Sequence, residues 1–509
     1  MMEWQGFKTE PFAHQREGWE QTRNARYFAF PVDMGLGKSK MMLDTAAWLW
    51  SQGEINALVI VAPNGVHRQW IVEQVPEHLP DWVPYRAAYY GSYLKAAEKK
   101  AWEAALQFDD SRLNILAFHY EGVAVARGKD TLWKSLQRSR AMLVLDESHR
   151  IKTPSAKVTQ ALQAAGRRAF YRRILSGTPY TQSPLDAYSQ FKFLHPNIIG
   201  ENTYAGFKAK YSVENQHCSR CHEELTVPGP CPSCRHDQRY GRVVGSQNLA
   251  ELRRRLAPVC YRVRKQDCPD LPPKVYETRS VPLSPEQRRI YSELLEEGVA
   301  LLHTPRKAGE REEDYLWRVW QGDDRVEAET ALSQMARCQQ VLGGFAVTTE
   351  GAIERLPCPR LRVLDEVLEE AGEQKVIIWA RFREEIALIA ERHPEAVQYH
   401  GGIDATARGE AIERFTRGDA RIFLGTAAAG GTGLNLTAAT MMVYYSNSFN
   451  AAHCWQSEDR AHRIGQTQSV TYVDLIADNT LDAKILANLR DKRKMADYLL
   501  DGDLSEEAA

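Results

Sequence analysis

Three clusters of residues carry chemistry in their types and spacing. The first is Asp33-Met34-Gly35-Leu36-Gly37-Lys38-Ser39, which follows an apolar segment and precedes a helix-like run, Lys40–Trp50. Gly35 and Gly37, on either side of Leu36, would let backbone N–H groups close on phosphate oxygens. Lys38 would reach β- and γ-phosphates, and the Ser39 hydroxyl would ligate magnesium. The N-terminus of the following helix adds a favourable dipole. The strict phosphate-loop pattern has glycine at position 32, where Val32 stands. The alternative is a glycine-rich strand–helix turn with an incidental lysine.

The second cluster is Asp146-Glu147-Ser148-His149, at the end of the apolar run Leu143-Val144-Leu145. A strand that delivers two acids at its C-terminal end suits a nucleotide site in a parallel sheet. Asp146 would hold magnesium, and Glu147 would orient or deprotonate the attacking water. A lone acid pair is usually a solvated loop. Paired with an upstream phosphate loop, it reads as ATP hydrolysis.

The third cluster is Cys218-x2-Cys221, nine residues, then Cys231-x2-Cys234. Two such knuckles can place four thiolates tetrahedrally around zinc. Gly229, Pro230 and Pro232 favour a tight turn, and His217, His222 and His236 are substitute ligands. Four protein ligands leave no open position, so the metal would be structural. Two disulfides or four free thiols are the alternatives. The chain has nine cysteines, an odd number with the remainder scattered. That fits a reducing compartment with one local metal site better than a disulfide framework.

The elements that must position these clusters are legible as apolar runs. Ala57–Ala62, Ile115–Phe118 and Met142–Leu145 each stand before a turn and a helix-compatible stretch. This is the rhythm of a parallel sheet covered on both faces. It returns at Val376–Trp379, Ile422–Leu424, Met442–Tyr445 and Val470–Leu475. The expected fold is therefore α/β, with two parallel-sheet lobes. At about 150 residues per domain, 509 residues suggest about three domains. Hydrophobic residues at 43% and charged residues at 26% exclude a disordered, collagen-like or small disulfide-stapled chain. With 65 basic and 66 acidic residues the net charge is −1, so any nucleic-acid site must be local. One local balance stands out: Lys208–Lys265 carries 12 Lys/Arg against 5 Asp/Glu. The start, MMEWQGFKTEPF, lacks the pattern of a secretory leader. No apolar run reaches the roughly 18 residues of a membrane span. No membrane association is expected, and a cytoplasmic setting is.

A further run, Gln456 to Gln466 (QSEDRAHRIGQ), sets Gln456, Arg460 and Arg463 at i, i+4, i+7. If residues 451–463 are helical, these share one face and make an anion-facing stripe. For an arbitrary helix that pattern is a solvated basic face. Upstream, Thr426–Leu436 (TAAAGGTGLNL) suits close backbone approach to a ligand or, more simply, a tight turn.

The order of these motifs resembles the Swi/Snf-type helicase-like ATPases, a branch of superfamily two, over roughly residues 8–490. Gln15, in Pro11–Gly18, matches the family's adenine-reading glutamine. Ala62-Pro63 with Trp70 and Glu73 matches the next block. Ile151-Lys152-Thr153-Pro154 is similar to a phrase of the family's own. Ser176-Gly177-Thr178-Pro179 and the glycine run with Gly431 and Gly433 match blocks that couple hydrolysis to strand movement. Tyr399-His400-Gly401-Gly402 and Arg414-Phe415 match between them. The resemblance implies that Arg460 and Arg463 are arginine fingers on the transferring γ-phosphoryl, an effect worth about 10³–10⁵ in rate in other nucleotide hydrolases. It also implies ATP held in the cleft between two RecA-like lobes, one carrying Lys38, Asp146 and Glu147, the other Gln456, Arg460 and Arg463. Three positions depart from the family pattern: Val32 for an acid, Ser148 for alanine, and Ala451 for proline. None removes a charged catalytic group.

The expected organisation has five parts. Residues 1–205 form an ATP-binding lobe, 206–245 a zinc-ribbon insertion, 246–345 a helical insertion and linker, 346–490 the second lobe, and 491–509 an acidic tail. The resemblance implies a motor that couples ATP and Mg2+ to movement on double-stranded DNA, remodelling DNA or displacing bound protein. A strand-separating DNA or RNA helicase is the alternative enzyme, and an adaptor with an ATP-gated clamp the alternative class. Retention of Lys38, Glu147 and Arg463 speaks against the adaptor. The basic insertion, through Arg235, Arg239, Arg242, Arg253, Arg254 and Arg255, is expected to grip the DNA backbone or a partner, the alternative being a ribbon that only stiffens a long loop. RNA polymerase or replication and repair proteins are candidate partners, and the chain is expected to be a monomer. The absence of a recognisable chromatin-reading module points to a compact prokaryotic or viral member.

Overall fold

The computed structural model describes residues 3–91, 94–177, 183–218, 231–235, 239–268, 272–296, 299–301, 325–327, 331–430, 434–463 and 466–501. The chain divides into two compact units. One comprises Met1–Cys268 with Lys492–Ala509, the other Pro269–Asp491.

The first unit holds a six-stranded sheet of β1 (Tyr27–Phe30), β2 (Ala57–Ala62), β3 (Tyr85–Tyr89), β4 (Leu113–His119), β5 (Ala141–Asp146) and β6 (Tyr171–Leu175). Their order is β1-β6-β5-β2-β4-β3, and every neighbouring pair is parallel. The central strands β2 and β5 are buried along their whole length. Helices cover both faces of such a sheet, so its strands read as continuous apolar runs rather than alternations. Because all six strands run the same way, the turn after β1 and the turn after β5 open at the same edge. Two helices flank the first of these turns in sequence, α1 (Ala13–Thr22) before β1 and α2 (Lys38–Ser51) after it.

Beyond this sheet the first unit carries an antiparallel hairpin, β7 (Ser212–Cys218) with β8 (Arg239–Ser246), offset by a bulge at Val213/Glu214. The hairpin leads into the helix Leu249–Leu256.

The second unit repeats the architecture. Strand β9 (Lys274–Ser280) comes first in the chain. Two small antiparallel pairs come next, β10 (Val299–Leu301) with β11 (Arg325–Glu327) and β12 (Phe345–Val347) with β13 (Ile353–Arg355). Then come β14 (Val376–Ala380), β15 (Val397–Tyr399), β16 (Ile422–Thr426), β17 (Met441–Tyr444) and β18 (Val470–Ile476). The large sheet is ordered β15-β16-β14-β17-β18-β9, again parallel throughout. Central strand β14 feeds two cores. Val376, Ile378 and Ala380 join one cluster with Leu364 and Ile386, while Ile377 and Trp379 join another with Phe415 and Tyr472. That split is the period-two alternation of a strand. Each fully buried large side chain contributes about 1.5–3 kcal/mol relative to exposure.

The α/β expectation with two parallel-sheet lobes holds, and all seven apolar runs lie within strands, apart from Tyr445 just beyond β17. The stretch 246–345, read as a helical insertion and linker, divides otherwise. Its part up to Cys268 belongs to the first unit, and β9 forms an edge strand of the second sheet. β9 pairs along its whole length with β18 (Lys274 opposite Val470 through Ser280 opposite Ile476). Its backbone is committed to a sheet although its side chains are mostly polar. Among the described residues no helix is long and apolar enough to cross a membrane.

Candidate functional site

In the first unit the phosphate loop joins β1 to α2. Gly35 and Gly37 both adopt left-handed backbone, with φ of 81° and 77°. A side chain at either would be strained. At Gly37 the space is also taken, since a Cβ would lie 2.1 Å from Gln15 Nε2. Gln15 is buried and donates to Leu36 O at 3.2 Å, while its Oε1 accepts from Phe12 N at 3.1 Å. Here Gln15 braces the loop. The ring Nε2 of His14 lies 3.0 Å from the same Leu36 oxygen. Lys38 Nζ donates to the Val32 and Asp33 carbonyls at 2.7 and 3.3 Å, and so is folded over its own loop. Ser39 comes next, in the first turn of α2.

Strand β5 delivers the acid pair. Asp146 is held on three sides. Trp70 Nε1 donates to its Oδ2 at 2.9 Å, the Glu147 N–H to its Oδ1 at 3.0 Å, and the Tyr120 hydroxyl to its carbonyl at 2.7 Å. Burial, and then the neighbouring Glu147 carboxylate, push the Asp146 carboxyl up to about 6. The Trp70 hydrogen bond and the positive charge of Lys38 act in the opposite direction. Glu147 takes left-handed backbone at φ 53°, costly for a residue with a side chain. The strand ends there, at Asp146. His149 Nδ1 sits 3.4 Å from Glu147 Oε2 and 3.4 Å from Ser176 Oγ, linking the acid pair to the Ser176-Gly177 turn. That turn reaches the phosphate loop, because a Cβ on Gly177 would come within 2.8 Å of Met34 Cγ. Thr178 lies outside the described residues.

Ser148, which departs from the family pattern, has a physical account. Its hydroxyl donates to Gln190 Oε1 at 2.7 Å in a buried pair, and Gln190 in turn donates to Asp186 O at 2.8 Å. Val32, the departure in the phosphate loop, is fully buried and bridges Val263. Sequence reasoning gave no role to Trp70, Tyr120 or Gln190 around the acids, and counted Arg262 only among the cations of the basic stretch. Only the match of Trp70 to a family block signalled any of them.

In the second unit the helix Ala451–Glu458 is capped by Asn450, whose Oδ1 accepts from Ala452 N at 3.1 Å. It stops at Glu458, so the expected helix through residue 463 does not form. Beyond Glu458 the chain tightens, with Arg460 N donating to Ser457 O at 3.2 Å, three residues back rather than the four of an α-helix. Leu436 N donates to Arg460 O at 3.0 Å and Gln466 Nε2 to Ala461 O at 3.3 Å. Glu458 and Asp459 are also drawn to Lys274 of β9, at 3.0 and 3.2 Å. Gln456 therefore lies on the helix, and Arg460 and Arg463 on the turn beyond it. All three are held against the segment that follows the glycine run or within the core. Gln456 and Arg460 are buried, and Arg463 Nη1 donates to Leu434 O at 3.2 Å. Burial lowers the Arg463 guanidinium from its ordinary range, with Asp459 opposing. Gly431 and Gly433 lie outside the described residues.

At the hairpin, the sulfurs of Cys218, Cys231 and Cys234 all lie within 4.8 Å of one another. Cys218 and Cys231 are buried, and the Cys218 and Cys234 sulfurs are 3.4 Å apart, far beyond disulfide length. Cys221 lies outside the described residues. The basic set proves mixed. Arg235 and Arg254 are exposed. Arg255 pairs with Glu251 one turn earlier, and the side chains of Arg239 and Arg242 lie outside the described residues. Arg253 is half-buried. Arg262 pairs with Asp33 and Arg264 with Asp267, so neither is a spare cation in the basic stretch.

Comparison with known proteins bears on the whole chain. The ATP-dependent helicase brm of Drosophila melanogaster is 23% identical over 93% of this chain and 28% of its own length. The SWI/SNF-related matrix-associated actin-dependent regulator of chromatin subfamily A containing DEAD/H box 1, from Xenopus tropicalis, is 23% identical over 93% of this chain and 49% of its own length. The chain thus spans half or less of these relatives. The Sulfolobus solfataricus SWI2/SNF2 ATPase core in complex with dsDNA aligns at 21% identity over 97% of this chain and 93% of that one, with a TM-score of 0.39, a superposition too loose to add to the fold. The helicase conserved C-terminal domain matches residues 359–465, within the second unit. The SNF2-related domain matches residues 30–330, over half of the sequence, and the chain belongs to that family.

Proposed function

We propose that this chain is an ATP-driven motor that moves on double-stranded DNA, remodelling it or displacing bound protein. Family membership implies ATP with magnesium. The observation that carries the reading is the gathering of phosphate loop, acid pair and Ser176-Gly177 turn at one edge of the first sheet.

In this reading the Gly35–Gly37 backbone and Lys38 hold the phosphates, with Gln15 behind the loop. Lys38 leaves its two carbonyl partners for the phosphate oxygens. Ser39 and Asp146 would hold magnesium, which supplies charge neutralisation on the phosphate oxygens. Glu147 orients the attacking water and accepts its proton. His149 passes the state of Glu147 to Ser176. Arg460 and Arg463 stabilise charge on the transferring phosphoryl group, Gln456 assists them, and Thr178, Gly431 and Gly433 take part in coupling.

The hairpin is proposed to hold one structural zinc through Cys218, Cys221, Cys231 and Cys234. Three mutually close sulfurs, two of them buried, support this and suit a tetrahedral thiolate site. Arg235 and Arg254, being exposed, are proposed to touch the DNA backbone.

The test is the ATPase rate without nucleic acid and with duplex DNA, single-stranded DNA or RNA, each beside a Glu147→Gln control. Strong stimulation by duplex DNA is expected. Preference for single strands or RNA would overturn the substrate claim. Hydrolysis no greater than that of the control in every condition would overturn the motor.

A further inference from the structure

The segment that leaves the helix Leu249–Leu256 returns to β1, an edge strand of the first sheet. Cys260 bridges Ala29 and Val263 bridges Val32, both in parallel sense. Tyr261 N donates to Ala29 O at 2.9 Å, and Asp33 N to Val263 O at 3.0 Å. The side chains then close on the phosphate loop. Arg262 Nη1 donates to Pro31 O at 2.9 Å and to Asp33 Oδ1 at 2.8 Å. The Lys265 N–H donates to Asp33 Oδ2 at 3.0 Å. Both oxygens of Asp33 are thus engaged by one short stretch of chain, 229 and 232 positions away.

The same stretch fixes the other brace of the loop. The Tyr261 hydroxyl donates to His14 O at 2.7 Å and lies 3.2 Å from Glu17 Oε2. Its ring lies flush on α1, where a Cβ at Gly18 would meet Tyr261 Cε1 at 2.4 Å. His14 and Gln15, on that helix, are the residues that hold Leu36 O. The loop is therefore held at its start by Arg262 and at Leu36 by a helix on which Tyr261 sits.

We propose that Arg262 is a positioning residue for nucleotide binding, acting through Asp33. The inference rests on the reading of this loop as the ATP phosphate site. The pairing has two physical effects. With Asp33 anchored, the loop N–H groups stay aimed at one place. Without the anchor, only a fraction of molecules is competent, and apparent affinity falls by that fraction. Arg262 also neutralises a carboxylate that would otherwise face incoming phosphate charge. Once nucleotide is bound, its own contacts order the loop. Loss of Arg262 therefore weakens binding more than turnover.

The experiment measures KM, kcat and the affinity for a fluorescent ADP analogue in the full chain. The variants are Arg262→Ala, Arg262→Lys, Asp33→Asn and the double Asp33→Asn/Arg262→Ala, with thermal unfolding measured beside each. Arg262→Ala should raise KM and the ADP-analogue Kd about tenfold, with kcat within about threefold. Arg262→Lys should recover part of the loss. The double variant should be no worse than Arg262→Ala, because the two residues act as one unit. Unchanged KM and Kd in Arg262→Ala would overturn the proposal. So would a fall in kcat and melting temperature with KM constant, which is the signature of a merely structural role. If Arg262→Ala does not fold, Arg262→Lys and Asp33→Asn decide by the same split. A wild-type chain that binds no nucleotide would instead sink the ATP reading itself.

Discussion

The indole of Trp70 donates a hydrogen bond to Asp146 Oδ2 at 2.9 Å, joining two buried residues 76 positions apart. Trp70 begins a single wide helical turn, Trp70–Gln74. The indole fixes one carboxylate oxygen while the Glu147 N–H fixes the other, so the acid proposed to hold magnesium has little rotational freedom. Trp70→Phe keeps an aromatic ring, though a smaller one, and removes the donor. It should raise the magnesium concentration for half-maximal ATPase activity several-fold and lower stability by about 1–3 kcal/mol. Magnesium titrations and urea unfolding check this, and an unchanged magnesium dependence would remove Trp70 from the site.

Glu147→Gln keeps the shape of the left-handed turn and loses the base. Hydrolysis should fall by about 10²–10⁴, with ADP-analogue affinity retained. A parallel loss of binding would mean that Glu147 organises the loop rather than the water.

His67 is buried beside His119, and burial, then the charge of that neighbour, pushes its imidazole down to about 4 from 6.5. A folded-state pKa below the unfolded one gives stability that is complete above the unfolded value. It is lost as pH falls through the folded value. The loss should run from about pH 6.5 to about pH 4, with the unfolded state binding the extra proton. Urea midpoints measured across that range should fall in the wild type and fall less steeply in His67→Leu. Equal slopes would mean that other groups set the acid limb.

Metal analysis of the purified chain should find one zinc per molecule, and Cys231→Ser should lose it. Chelation should destabilise the hairpin, because a structural site contributes folding free energy directly. Zinc content unchanged in Cys231→Ser would place the metal elsewhere, and none in the wild type would leave a thiol cluster.

Arg360 and Asp482 form an ion pair in the second unit, with side chains 1% and 4% exposed. Arg360 also donates to Tyr445 O. Arg360→Leu strands a buried carboxylate and should cost about 3–5 kcal/mol, read from the urea midpoint. The double variant Arg360→Leu/Asp482→Leu should recover much of that, since the uncompensated charge is gone.

Much of the sheet framework was legible because burial of an apolar run is a local property. A stretch such as Ala57–Ala62 has few ways to hide six apolar side chains except between two layers of helix. Strand β6 (YRRIL) gave no such signal, for it carries Arg172 and Arg173 into the interior. Their placement depends on partners that the strand does not contain. Arg173 donates to the carbonyls of Thr22 and Ala25, and Arg172 lies over the Tyr27 ring while donating to Phe193 O. Strand β9 was equally silent, a mostly exposed edge whose ladder partner β18 lies far along the chain.

The same division runs through the candidate site. Glycines at 35 and 37, the lysine after them and two acids ending an apolar run were readable, because each needs only its immediate backbone to do its work. The i, i+4, i+7 helical spacing at Gln456, Arg460 and Arg463 does not form, since the helix ends at Glu458 and Arg460 N turns back to Ser457 O. Sequence by itself therefore determined the family and the parallel sheets, and it named the residues proposed to meet phosphate, metal and water. Tertiary structure alone decided which polar groups hold them: Trp70 on Asp146, Gln190 on Ser148, Arg262 on Asp33. Those partners meet only after long loops close, and loop closure is settled by the packing of the whole sheet rather than by either residue.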